Sequence, residues 1–433
     1  MNYEEALAFI HGSHKFGLKH GLENIKTLLS FMGNPQDKLK FVHVAGTNGK
    51  GSTAVFIQNI LVASGLSTGL YTSPFLLRFN ERYRVNHLDI SDHHLTQITQ
   101  FVQEKVLLMR AQSKPHPTEF EIVTAIGFQY FYEMNCQLVV LEVGLGGRFD
   151  ATNVIHASEV SVISAIGYDH MNILGNELSQ IAFEKAGIIK ANSSLVLSPQ
   201  KYPAATTVIT EICQKNQATL AAVDEKSLVL KSFDTRGQSF DYKDLPDLRI
   251  KLLGAHQLLN AATALEAIKI LQKKGYPIEV SHIKEGLLKT SWPGRCEILS
   301  QEPLLIIDGA HNVDGAKALV QTLQSFFREY TPVLILGLLK DKEVAAILAA
   351  LLKCTKNIVT VKPQCDRALS SQDLADIILE QGENLQVISA SSYADAILEA
   401  KIMAANLENP LILACGSLYY IGEIRNLVLN EEA

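Results

Sequence analysis

Residues 46–52 of the stretch FVHVAGTNGKGS hold three glycines, a lysine and a serine within seven positions. Glycines let backbone N–H groups approach phosphate oxygens, a helix opening there adds partial positive charge, and Lys50 adds a full one. The stretch departs from the pattern G-x-x-x-x-G-K-[ST]: Val44 stands at the first glycine, Gly51 at the hydroxyl position, and Ser52 follows one place late. The physical elements of a phosphate site survive that mismatch. The competing reading is a plain glycine-rich turn with a surface lysine. Ser52, or Thr53, is placed to offer its hydroxyl to a magnesium ion.

Four further clusters carry groups that can do chemistry. LEVGLGGRFDATN, 141–153, ends an apolar run on Glu142. A carboxylate there is costly unless it is paired or metal-bound, so a magnesium ligand and an ion pair with Arg148 are both open. IGYDHMNILG, 166–175, supplies Asp169 and His170; magnesium prefers oxygen ligands, and residue type alone leaves His170 a structural histidine. EKAGIIK, 184–190, puts Lys185 on an apolar helical stretch as a surface lysine, a phosphate contact or a reactive neutral amine. WPGRCE and IIDGAHN bring Arg295, Asp308 and His311 to an expected cleft, where an arginine and a carboxylate from a second domain suit a clamp over nucleotide.

Short apolar runs at 40–45, 68–72, 137–143, 160–166 and 194–198 read as strands, with helices such as 52–64 and 118–134 between them. The alternation predicts an α/β fold, a P-loop-type mostly parallel sheet covered by helices. The polar segment 223–251 reads as a small antiparallel hairpin region, and 255–272 as a helix. The prolines and glycine of 290–303 mark a domain boundary, giving expected domains of 1–296 and 297–433. Beyond it, helices at 314–327, 342–353, 371–380, 392–405 and 418–428 follow apolar runs, a second, smaller doubly wound, Rossmann-like domain. Ligands in such folds bind at the carboxyl ends of strands, where the clusters above fall.

A chain of 433 residues, 47% apolar, is large enough for two cores. Its net charge of −6, without a long basic run, speaks against nucleic acid as a partner. No apolar run reaches the roughly 18 residues that span a bilayer. The N-terminus lacks the shape of a secretory signal, and six scattered cysteines without a C-x-x-C pair fit a reducing cytoplasm.

Taken in order, HVAGTNGKGS, YTSPFLLRFNERYRVN, PTEFE, LEVGLGGRFDATN, DHMNILG, FEKAGIIK, HQLLNAATAL, WPGRCEI, IDGAHNVDGAKAL and CGSLYYIGEIR resemble the folylpolyglutamate synthase/dihydrofolate synthase family of the Mur ligase superfamily. The resemblance implies ATP-dependent amide formation: a substrate carboxylate is phosphorylated, and the amine of L-glutamate attacks the acyl phosphate. It implies that Gly49, Lys50, Gly51 and Ser52 hold phosphates and that Asn260, Arg295 and Asp308 complete the ATP site. Ser73, Glu142, His170 and Ser52 would ligate Mg2+, and Lys185 would be carbamylated. Lys50, Lys185, His170 and Glu142 thereby become the candidate catalytic set. His311 and Ser417 are implied in glutamate binding or cleft closure, Thr118, Phe120 and Asp150 on the pterin side, and Arg82 in the loop that shapes the folate site. The implied partners are dihydropteroate or a reduced folate, L-glutamate and ATP, acting on a monomer. Phe75, Phe149 and Tyr168 depart from the usual family pattern; none removes a proposed ligand, and all bear on the pterin pocket. A peptidoglycan-type Mur ligase is the rival enzyme, disfavoured by the 40 residues ahead of the loop strand, too few for a UDP-binding domain. A non-catalytic nucleotide-binding protein is the other alternative, and it leaves Glu142, His170 and Lys185 without a shared purpose.

Overall fold

The computed structural model describes residues 1–14 and 21–431. A large sheet contains β1 (Phe41–Ala45), β2 (Thr68–Tyr71), β3 (Tyr83–Val85), β4 (Leu88–Asp89), β5 (Leu138–Glu142), β6 (Val160–Ile163), β7 (Ser194–Leu197) and β8 (Thr219–Ala222). Their order is β4-β3-β2-β5-β1-β6-β7-β8. The pairs from β2 to β8 are parallel, and β3 and β4 extend the edge antiparallel. All five residues of β1, FVHVA, are buried, as a strand covered by helices on both faces requires. One face packs on the Lys50–Ala63 and Ala255–Lys273 helices, the other on the Asp92–Ala111 and Glu119–Glu133 helices.

The 223–251 segment forms a three-stranded antiparallel meander, β9 (Leu228–Asp234), β10 (Gly237–Tyr242) and β11 (Leu245–Ile250). The second large sheet contains β12 (Glu297–Gln301), β13 (Leu304–Ile307), β14 (Thr331–Leu336), β15 (Asn357–Thr360), β16 (Gln386–Ser389) and β17 (Pro410–Cys415), in the order β12-β13-β17-β14-β15-β16. Its strands are parallel except β12, which runs antiparallel to β13. β12 lies within the segment read from sequence as linker: its burial is partial, and Pro303 follows it. Among the described residues, no helix is long and apolar enough to cross a membrane.

Two differences from the sequence expectation matter for the site. The helix expected from residue 52 begins at Lys50, because Gly49 at φ 86° turns the chain into it. Lys50 and Gly51 therefore lie in its first turn, where backbone N–H groups lack helical acceptors. The strand expected to run to 166 leaves the sheet after Ile163. There the carbonyl of Ala165 turns to accept the N–H groups of Thr47 (2.9 Å) and Asn48 (3.1 Å), bracing the glycine loop.

Candidate functional site

Four strands of the first sheet deliver their carboxyl ends to one place: β1 leads into Gly46–Lys50, β2 into Ser73, β5 ends at Glu142, and β6 leads to Asp169 and His170. β13 of the second sheet ends beside Asp308 and faces them. Between lies a cavity of about 440 Å3. It takes lining from the glycine loop, Glu142, His170 and Lys185 on one side and from Arg295, Asp308 and His311 on the other.

The glycine loop is shaped for backbone approach. A Cβ at Gly49 would overlap the Asn260 amide, so the loop and the Ala255–Lys273 helix touch without a side chain between them. Asn260 is itself held by Gln257 (3.0 Å). Lys50 Nζ donates back to the Thr47 carbonyl (3.3 Å), and Ser52 is buried in the first turn of the helix. Lys185, expected on an apolar stretch, is buried and donates from Nζ to the Gly46 carbonyl (2.7 Å). Burial, and then the neighbouring Lys50 charge, lowers its pKa to about 7.

Glu142 is buried, and its Oε2 accepts the Ser73 N–H (3.3 Å). Burial raises its pKa, while Lys50, the Ser73 amide, Arg295 and Arg82 act the other way. The Arg148 alternative is excluded, because Arg148 pairs instead with Glu184 (2.6 Å). His170 adopts a left-handed conformation, φ 50°, at the start of a one-turn helix. Desolvation lowers its pKa to about 4 against the pull of Asp169, which leaves a neutral ring nitrogen as a possible ligand.

On the second side, Asp308 staples two turns. Oδ2 accepts the Cys296 N–H (2.8 Å), Oδ1 accepts the Ala310 N–H (2.8 Å), and the Gly309 N–H donates to the Gly294 carbonyl (2.8 Å). The Arg295 guanidinium lies over Gly309, where a Cβ would overlap it, and Nη1 donates to the Gly294 carbonyl (3.0 Å). His311 donates from Nδ1 to the Gly309 carbonyl (2.8 Å).

The family models agree with this two-sided arrangement. Residues 44–268 match the Mur ligase middle domain, and residues 294–418 match the Mur ligase glutamate ligase domain. The dihydrofolate synthase/folylpolyglutamate synthase of Bacillus subtilis is 36% identical over 430 residues, covering 98% of each chain. This chain belongs to the folylpolyglutamate synthase/dihydrofolate synthase family. The Mycobacterium tuberculosis folylpolyglutamate synthase solved with ADP superposes at TM-score 0.90, with 30% identity and 99% of each chain covered. A folylpolyglutamate synthase solved with AMPPCP and folate superposes at 0.85, with 33% identity over 99% of this chain and all of that one.

Within this folylpolyglutamate synthase/dihydrofolate synthase fold, five expected site residues stand apart from the cavity lining. Thr118 caps the Glu119–Glu133 helix, its hydroxyl accepting the Glu121 N–H (3.3 Å). Phe120 packs under Gly144 and against Tyr71. Asp150 accepts the Leu145 N–H (2.8 Å) and both donors of Thr152 (2.5 and 3.0 Å). Of these three, Phe120 and Asp150 touch the glycine turn that follows Glu142. The Arg82 guanidinium lies between the rings of Phe75 (5.1 Å) and Phe79 (5.4 Å), and its buried Nε has no hydrogen-bond partner. Ser417 is buried, its hydroxyl accepting the Tyr419 N–H (3.2 Å) at the start of the last helix.

Sequence reasoning missed Lys342, whose ammonium reaches Asp169 across the cleft. It follows the carboxyl end of β14, so the strand-end rule pointed to it, but the sequence pattern makes it the first residue of a helix over 342–353, whereas that helix spans Val344–Leu351 and leaves Lys342 in the strand-end turn.

Proposed function

We propose that this chain joins L-glutamate to the carboxylate of dihydropteroate or a reduced folate, using ATP and passing through an acyl phosphate. The observation that carries the reading is the cavity itself. A phosphate-binding loop with two lysines and a buried glutamate faces an arginine and a histidine from the second sheet. ATP placed on the loop has its phosphates on the backbone amides of residues 49–52 and on Lys50. Arg295, reaching from the far wall, adds a cation where the transferring phosphoryl group carries charge. The acceptor carboxylate then receives the terminal phosphate, and the amine of glutamate displaces it as inorganic phosphate. The Arg82 guanidinium, whose Nε has no hydrogen-bond partner, is suited to hold the anionic end of the folate.

Ser73, Glu142 and His170 fit a magnesium site with Ser52. Among the described residues, no ion pair reaches the buried Glu142 carboxylate, and a hydroxyl and a neutral imidazole line the same cavity wall. Magnesium bound there would neutralise phosphate charge and polarise the terminal phosphoryl group. Lys185 has the lowered pKa that carbon dioxide capture requires, and a carbamate keeps the N–H that now donates to Gly46. We assign the protein to the reducing cytoplasm as a monomer acting on small molecules, with no nucleic-acid partner, in keeping with its charge and six free cysteines.

The test is a substrate panel. Purified protein is given ATP, magnesium and L-glutamate with dihydropteroate or tetrahydrofolate, and ADP and the conjugated product are measured. ADP release that depends on both pterin and glutamate is expected. Absence of product with every pterin overturns the reading.

A further inference from the structure

Asp169 is the most heavily bonded carboxylate at the cleft. Its Oδ1 accepts the Lys342 ammonium (2.5 Å) and the His170 backbone N–H (2.8 Å). Its Oδ2 accepts Asn312 Nδ2 (3.1 Å) and lies 3.4 Å from His311 Nε2. Lys342 and Asp169 side chains are each only 7% exposed. Lys342, His311 and Asn312 all belong to the second sheet's half, while Asp169 follows β6 of the first. Asn312 adds a second crossing: it exchanges two hydrogen bonds (3.0 and 3.3 Å) with Asn48 of the glycine loop. The same Asn312 caps the Val313–Phe326 helix through the Gly315 N–H (2.8 Å), which fixes its direction. The other ion pair across the cleft, Lys201–Asp314 at 2.7 Å, has its lysine 56% exposed and is too solvated to fix a geometry.

We propose that Asp169 and Lys342 form an interdomain clasp. It fixes the two halves in the arrangement that completes the site, and it sets His170 through the peptide shared with Asp169. Lys342 does not line the cavity and touches no substrate there, so it is a positioning residue. The clasp is reversible by construction. Separating the halves lets water reach both charges together, whereas deleting one partner in place leaves the other buried and uncompensated. Closure is therefore sensitive to charge at position 342 and less so to the volume of the side chain.

The experiment uses the full chain. Small-angle scattering with and without AMPPCP is combined with steady-state kinetics on Lys342→Met, which keeps the apolar stem, and on Lys342→Arg, which keeps the charge. The neutral double variant Asp169→Asn/Lys342→Met removes the clasp without an unpaired charge, and so covers a single variant that fails to fold. With AMPPCP, Lys342→Met or the double variant is expected to stay more expanded than the parent, and kcat is expected to fall about 100-fold, the scale of reacting groups held about 1 Å out of place. Lys342→Arg is expected to restore the compact form and most of kcat. Scattering that superposes on the parent, or kcat within twofold of it, overturns the clasp. The kinetic arm rests on the ligase reading and the scattering arm does not. A parent protein that makes no product defeats that reading and leaves the clasp to the scattering.

Discussion

Lys185 holds an ammonium group where the fold least favours one, buried and beside Lys50. Its folded pKa of about 7 lies below the ordinary lysine value of 10.5, so the unfolded chain binds more protons between those limits. Its contribution to stability therefore rises with pH across that window and is least favourable below pH 7. The neutral amine attacks carbon dioxide and the ammonium does not, so label from 13C-bicarbonate is expected on Lys185 in an amount that grows as pH rises through about 7. Carbon-13 NMR checks this, and a parent spectrum without a carbamate signal at pH 8 refutes it. Lys185→Met is expected to lose the signal and about 10²–10³ in kcat, the scale of one lost electrostatic contact at a reacting phosphoryl group. At this scale the sequence was informative where chemistry and local motif coincide. Lys50, Glu142, His170 and Lys185 all reach one cavity. It was uninformative for Lys342, whose partner lies 173 positions away and whose neighbours are charged. A pairing of that range is set by how two sheets meet, which no local pattern encodes.

At the scale of elements, the alternation of apolar runs located the parallel strands because strands buried on both faces must be continuously apolar. The edge pieces escaped it. β3 and β4 are three and two residues long, and β12 is half-buried, so neither length nor periodicity marks them. Thr118 shows how a residue read for ligand chemistry also has an element-level role. It and Glu121 form a capping box, with the Thr118 N–H donating to Glu121 Oε2 (2.7 Å). Thr118→Ala is expected to cost about 1 kcal/mol of stability, and Thr118→Ser much less. Chemical denaturation measures both; equal losses from the two would mean that the methyl group, not the cap, matters. Gly49 is the matching case at the other end of the site. It combines φ 86° with a Cβ position already filled by Asn260. Gly49→Ala is expected to cost about 1–3 kcal/mol in strain and to raise the ATP KM by about tenfold or more as the loop withdraws from Asn260. An unchanged KM for ATP would place the phosphates away from this turn.

For the whole molecule, the apolar cores follow the sheets and not the cleft. Among the described residues, the two faces of the second sheet are packed by residues from Cys296 onward, with Leu253 the one buried core residue and Leu76 the one half-buried neighbour contributed by the first half. The first half has its own clusters on either side of its sheet. Contacts across the cleft are largely polar, as Asp169–Lys342, Asn48–Asn312 and Lys201–Asp314 show, with the Phe233–Phe326 ring contact (4.8 Å) at the rim. Halves that share few apolar side chains can separate and close again without unfolding, which a site that must admit a folate, a nucleotide and an amino acid requires. The same division makes residues 294–433 a candidate for independent folding, since domains of about 100–150 residues commonly bury enough surface to be stable alone. That fragment is expected to give an α/β circular dichroism spectrum and a cooperative thermal transition, because it keeps all six strands and both faces of its sheet. It is expected to release no ADP from ATP, because the glycine loop, Glu142 and Lys185 are on the other half. A broad, non-cooperative melt would show instead that the first half completes the second core, and that opening the cleft and unfolding are one process.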